Sequence, residues 1–143
     1  MPQVRHIVVG VDGSENATHA LDWAVAIARP HGARITAVHA LGLLDRLAHE
    51  RVATGTHRDE ITEEFARDWC AALDDAGVPD ERIVVDGPPA DVILTTASER
   101  DADLVVVGER GTGGAATELG STSRRVLESA TVPVLVVPRP TTS

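Results

Sequence analysis

The sequence predicts an α/β fold: one doubly wound sheet of five parallel strands with helices on both faces. Three observations predict it. Strand and helix patterns alternate along the chain, strand–helix four times and then a final strand, and that order calls for right-handed crossovers between parallel strands. The strand candidates are near-continuous apolar runs, as strands covered on both faces are. The 143 residues suit one domain over 1–143, and a 43% hydrophobic content supplies a core without disulfide staples.

Residues 5–11 (RHIVVGV) form the first strand. Asp12-Gly13-Ser14 turns the chain, and Ser14 or Asn16 can cap the helix that follows. Ala17, Ala20, Leu21, Ala24, Ile27 and Ala28 recur at helical spacing, and Pro30-His31-Gly32 stops that helix. Residues 33–41 read as the second strand. A short helix is expected around 43–51, then a loop near Gly55. The spacing of Ile61, Phe65, Trp69, Ala72, Leu73 and Ala76 predicts one long helix over 57–76, with Gly77 just past its end. Residues 82–86 are the third strand and 91–100 a helix. Residues 103–107 are the fourth strand. Residues 121–130 form the last helix, with Val126 and Leu127 inward, and 132–137 the fifth strand. From Pro138 the chain reads as a frayed tail.

Composition narrows the function. The net charge is −9, and all 13 basic residues are scattered arginines, so a nucleic acid partner is not expected. Cys70 is the one cysteine and excludes an intrachain disulfide; it reads as a buried, inert thiol. No apolar run approaches the length of a membrane span, and residues 1–12 lack a signal-peptide layout, so a cytoplasmic protein without a membrane partner is expected. No HExxH occurs, and the histidines show no metal-pair spacing. His39 reads as half-buried and structural; His6, His19 and His31 read as exposed. No nucleophile–base spacing stands out, so no catalytic residue and no metal ligand is assigned.

The chemistry concentrates after the fourth strand. Leu104-Val105-Val106-Val107 ends at Gly108, a loop with Gly111, Gly113, Gly114 and Gly120 follows, and Ser121-Thr122-Ser123 opens a helix. A strand, a glycine-rich loop and a helix start make a phosphate cradle: glycine lets backbone approach the ligand, and orphan N–H groups at the helix start favour an anion. Ser121 is expected to cap that helix. The first strand ends in Gly10-Val11-Asp12. In open α/β sheets ligands bind beyond the strands' carboxyl ends, where the strand order reverses. If these two strands meet there, Asp12 can accept hydrogen bonds from a nucleoside. Equally, Asp12 can stiffen its own turn. A flexible loop with no ligand is the competing reading of the glycines.

Asp12-Gly13-Ser14, DLVVVGERG in the fourth strand and GSTSRRVLESATVPVLVVP at the end, in that order, resemble the universal stress protein family over nearly the whole chain. The resemblance implies strand order 3-2-1-4-5 and dimers formed through the last strand. It implies ATP binding for the subgroup with a Gly-two-residues-Gly-nine-residues-Gly-Ser/Thr motif; another subgroup lacks the motif and does not bind. By position, Gly108 and Gly111 match the first two motif glycines, and Gly120 and Ser121 the closing pair. Val107 and Thr122 flank the motif. Asp12, after Gly10, matches the acidic residue that contacts the nucleoside, and Ala40 the position whose backbone reads adenine. The chain departs from the motif at one point: eight residues, TGGAATEL, separate Gly111 from Gly120.

The leading expectation is therefore a stress-response regulator that binds ATP, with Mg²⁺ riding on the phosphates. It acts as a homodimer through Val134–Val137, an apolar edge strand that needs cover. The alternatives are a ligand-free dimeric interaction protein of the same fold and a slow ATP hydrolase.

Overall fold

A computed structural model of the chain describes residues 3–41, 56–109 and 119–140. The helix expected around 43–51, the loop near Gly55, and Gly111 with Gly113 and Gly114 lie outside the described residues. The elements are β1 (His6–Gly10), α1 (Glu15–His31), β2 (Arg34–Leu41), α2 (Thr56–Glu64), β3 (Asp80–Asp86), α3 (Pro89–Glu99), β4 (Leu104–Gly108), α4 (Ser121–Ser129) and β5 (Val134–Val137). The five strands pair in the order β3-β2-β1-β4-β5, all parallel.

Alternation along each strand divides the core between two layers. Ile7, Val9, Ile35, Ala37 and Val106 pack against α1 and against Phe65 and Leu73. Val8, Val38, Val105 and Val107 face the other way, onto Ile93 and Ala97 of α3 and Val126 of α4. The central strands are thus covered on both faces, which is why their sequences do not alternate in polarity.

Helix α1 stops at Pro30-His31-Gly32 as expected: it ends at His31, and the left-handed backbone of Gly32 (φ 63°) lets its N–H reach back to Ala28 and Arg29. Three expectations need correction. The predicted helix over 57–76 is broken. After α2 the chain makes a π-helical turn over Phe65–Trp69, then a 3₁₀ turn over Ala71–Leu73. The cause is visible: Arg82 Nη1 donates to the Ala66 carbonyl at 2.6 Å, and the Cys70 N–H goes back to Phe65 at 3.0 Å instead. The apolar period could not show that competitor. Leu127 is 45% exposed, so only Val126 of that pair turns inward. Arg139, expected in a frayed tail, is held: Glu109 Oε1 accepts from Arg139 N at 3.0 Å and Nε at 3.2 Å.

Candidate functional site

Strands β1 and β4 lie side by side, Val9 opposite Val106, with β2 beyond β1 and β5 beyond β4. Consecutive crossovers leave in opposite directions here, so the carboxyl ends of β1 and β4 flank the reversal of strand order. Gly10 and Val107 adjoin: a Cβ at residue 10 would lie 3.7 Å from Val107 Cγ1 and 2.6 Å from Ile93 Cδ1. The glycine at position 10 thus admits the α3 side chain.

The turn after β1 carries Asp12. Its Oδ1 accepts from the Ser14 N–H at 3.0 Å and from Ser14 Oγ at 2.5 Å, while Ser14 Oγ accepts from the Ala17 N–H at 3.1 Å and caps α1. The turn-stiffening reading of Asp12 therefore holds for one carboxylate oxygen. Oδ2 meets no partner among the described residues. Gly13 takes φ 84°, and Trp69 lies over it: a Cβ there would sit 2.8 Å from Cζ2.

The end of β4 is tied to two helix starts. A Cβ on Gly108 would meet the side chain of Asn16, in the first turn of α1, at 2.8 Å. Asn16 is buried and donates from Nδ2 to the Val137 carbonyl at 3.0 Å. From the opposite helix, buried Ser123 Oγ donates to the Gly108 carbonyl. The Glu109 N–H donates to Val137 at 2.8 Å, and the Gly120 N–H to the Glu109 carbonyl at 2.7 Å. These bonds dock the start of α4 at the end of β4. They also spend the amides of Glu109 and Gly120 inside the protein, so these two do not face a ligand.

Helix α4 begins at Ser121, with Gly120 as the cap position and no capping side chain. Ser121, expected as the cap, is the first helical residue, and it is exposed. Gly120 offers no side-chain oxygen, so among the described residues the first-turn N–H groups of α4 have no capping side-chain acceptor. Asp12 and the Ser121–Thr122 turn share no hydrogen bond among the described residues; they face each other only across the reversal.

At the end of β2, odd residues direct their peptide groups to β3 (Ile35 N to Pro79 O, Gly87 N to Leu41 O). Even ones face β1 (Arg34 N to Arg5 O, and Val38 O accepting from Val11 N at 2.9 Å). Ala40 is even and lies past the last β1 pairing, Gly10 with Val38, so its backbone points beyond the end of β1. His39 is only 7% exposed, more buried than expected, with Nδ1 2.9 Å from the Val11 carbonyl. Its ring meets Trp69 edge-on at 5.0 Å and Phe65 at 6.0 Å.

Sequence reasoning missed Asn16, Ser123, His39 and Trp69 as parts of this end of the sheet. For Asn16 a signal existed: a polar residue on the apolar stripe of a helix needs a buried partner. For Trp69 there was none, because the π-helical turn that aims it depends on Arg82. Elsewhere, burial pushes the Cys70 thiol up to about 12, which matches the inert thiol expected. His6, expected as exposed, is half-buried with Nε2 2.7 Å from Thr36 Oγ1. Among the described residues no cluster of three or more histidine, cysteine or acidic side chains could hold a metal ion, and no helix is long and apolar enough to cross a membrane.

A five-stranded parallel sheet of order 3-2-1-4-5, with a helix start at its reversal, places the chain among doubly wound α/β proteins. The family model for the universal stress protein family matches residues 3–138, and the chain belongs to that family. A universal stress protein of Thermus aquaticus, encoded in the 3′ region of a QAH/OAS sulfhydrylase, is 37% identical over 136 residues, covering 93% of this chain and 98% of that protein. Among solved structures, the universal stress protein UspA from Lactobacillus plantarum superposes with a TM-score of 0.80 at 24% identity over 96% of this chain and 99% of that one. A universal stress protein solved in complex with cAMP is 30% identical, with a TM-score of 0.70 over 97% of this chain and 100% of that one.

Proposed function

We propose that residues 1–143 form one adenine-nucleotide-binding regulatory domain of the stress response, with ATP seated at the β1–β4 reversal. The observation that carries this reading is the start of α4: a helix docked at the switch point whose first-turn N–H groups no side chain caps among the described residues. The family relative solved with cAMP supports the adenine class of ligand. In this reading the backbone and hydroxyls of Ser121 and Thr122, with Gly111, hold the phosphates, while Gly108 and Gly120, lacking side chains, let them approach the backbone closely. The free oxygen of Asp12 takes a nucleoside hydroxyl, the Ala40 backbone reads the base, and Gly10 and Val107 wall the crevice. The residues fit that group: Glu109, at the end of β4, is paired with Arg139, which leaves the phosphate end less negative. Mg²⁺ would neutralise phosphate charge while held chiefly by the ligand.

The protein acts in this reading as a cytoplasmic homodimer through β5. Val134, Leu135 and Val136 are half-buried on an edge strand, and Leu127 of α4 stands exposed. Calorimetric titration with ATP and Mg²⁺, with cAMP and with GTP tests the ligand. Binding of an adenine nucleotide at or below about millimolar concentration is expected; no heat and no ligand released from freshly purified protein defeats the reading. A monomeric mass in solution at micromolar protein removes the dimer and leaves the nucleotide reading standing.

A further inference from the structure

The end of the β1–β2 ladder holds a substitution of one donor for another. Val11 donates to the Val38 carbonyl, so a parallel ladder continued by one step would have the Ala40 N–H donate to the Val11 carbonyl. That bond is not formed. The Val11 carbonyl is met by His39 Nδ1 at 2.9 Å. A carbonyl can only accept, so Nδ1 carries the proton. The imidazole is fixed in that pose by its surroundings: Trp69 edge-on at 5.0 Å with an 83° interplanar angle, Phe65 at 6.0 Å, and 7% residual exposure. The same Trp69 ring lies over Gly13, one residue after Asp12.

We infer that His39 is a positioning residue for the nucleotide site: by taking the Val11 carbonyl it ends the ladder one step early and keeps the Ala40 N–H available to a ligand. The inference rests on the nucleotide reading for what the amide is kept for, but the displacement itself does not depend on it. Ala40 is half-buried at the edge of the site, and its N–H has no backbone partner among the described residues; a base acceptor arriving there supplies one. The Asp12 turn is fixed from the same side, because the Val11 carbonyl belongs to the peptide that leads into Asp12.

Amide exchange followed by NMR on the ligand-free protein tests the displacement. In the wild type the Ala40 amide exchanges much faster than that of Val38; equal protection of the two overturns the inference with no variant needed. In His39→Leu the Val11 carbonyl is released, Ala40 closes onto it, and Ala40 exchange slows. A residue that merely props up the fold would do the reverse and speed it. His39→Asn retains an amide donor near the Nδ1 position and restores fast exchange. For ATP with Mg²⁺, His39→Leu weakens binding by about ten-fold, the equivalent of one hydrogen bond, and His39→Asn recovers most of it. Unchanged affinity in a folded His39→Leu overturns the inference. A wild type that binds no nucleotide but shows the exchange pattern overturns the proposed function alone.

Discussion

Gly108 and Asn16 are in contact so close that position 108 admits no side chain: a Cβ would stand 2.8 Å from Asn16 Cγ and 3.0 Å from both its terminal atoms. Asn16 cannot swing away freely, because it is buried and donates to the Val137 carbonyl. The first glycine of the loop motif is therefore required by packing against the start of α1, whatever its role toward a ligand. Gly108→Ala should cost about 1–3 kcal/mol, the range for overpacking a close-fitting site. Urea unfolding of the single and double variants measures it. Adding Asn16→Ala to Gly108→Ala should cost less than Asn16→Ala does alone, since the clash goes with the amide. Simple additivity would refute the contact.

Gly13 and Gly32 separate two demands on glycine. Both take left-handed backbone, φ 84° and 63°, but a Cβ at Gly32 would have nothing within 4 Å while one at Gly13 would meet the Trp69 ring at 2.8 Å. Gly32→Ala should cost about 1–2 kcal/mol for backbone alone. Gly13→Ala should cost that and about 1–3 kcal/mol more for displacing the indole. Equal losses in thermal or urea unfolding would mean that Trp69 yields its place without penalty.

How much was legible follows from what each feature depends on. The alternation of apolar strands and amphipathic helices depends on local periodicity, and the fold class could be read from it. The strand order came only through the family resemblance, since no local signal orders strands in a sheet. The break at Phe65–Trp69 depends on Arg82, which lies further along the chain on β3, and periodicity carries no trace of it. Asp12 shows the same division within one side chain. Its turn chemistry was readable from Asp-Gly-Ser, and one oxygen does bond that turn, but where the other faces depends on β4 lying beside β1. Ser121 was displaced by a single position because Gly120, which brings no side chain, occupies the cap.

At the opposite end of the sheet, His6 gives a pH dependence whose sign can be worked out. Nε2 lies 2.7 Å from Thr36 Oγ1, which donates to Glu81 Oε1 at 3.2 Å, and Arg100 pairs with both oxygens of Glu81. Burial holds the His6 imidazole below its ordinary value of 6.5, helped by Arg34 and Arg100 and opposed by Glu81 and Asp103. The folded state therefore binds the proton less readily than the unfolded chain. Its contribution to stability is complete above pH 6.5 and declines as pH falls from there toward the depressed folded value. Glu81, held below 4.5 mainly by its hydrogen bond to Arg100, adds its own loss only at lower pH. Melting temperatures compared between pH 7.5 and 5.5 (roughly one unit either side of the free imidazole value) should fall less in His6→Gln than in the wild type. A larger fall in the variant would reverse the sign and refute the depressed value.

The start of α4, with glycine at its cap position, makes stability and ligand binding respond in opposite directions to one substitution. Ser121 is the first helical residue, is exposed, and follows a cap position with no side-chain oxygen. A carboxylate in a helix's first turn interacts favourably with the N-terminal dipole, by about 0.3–1 kcal/mol. Ser121→Asp should therefore leave the melting temperature unchanged or raise it slightly. The same charge would stand where the proposed phosphates sit, and repulsion there should weaken ATP binding by about ten-fold or more, about 1.4 kcal/mol. Calorimetry beside a melting curve reads both effects on one sample. A variant that is destabilised and binds less would mean only a damaged helix. One that is stable and binds ATP as tightly as the wild type would show that the phosphates lie elsewhere.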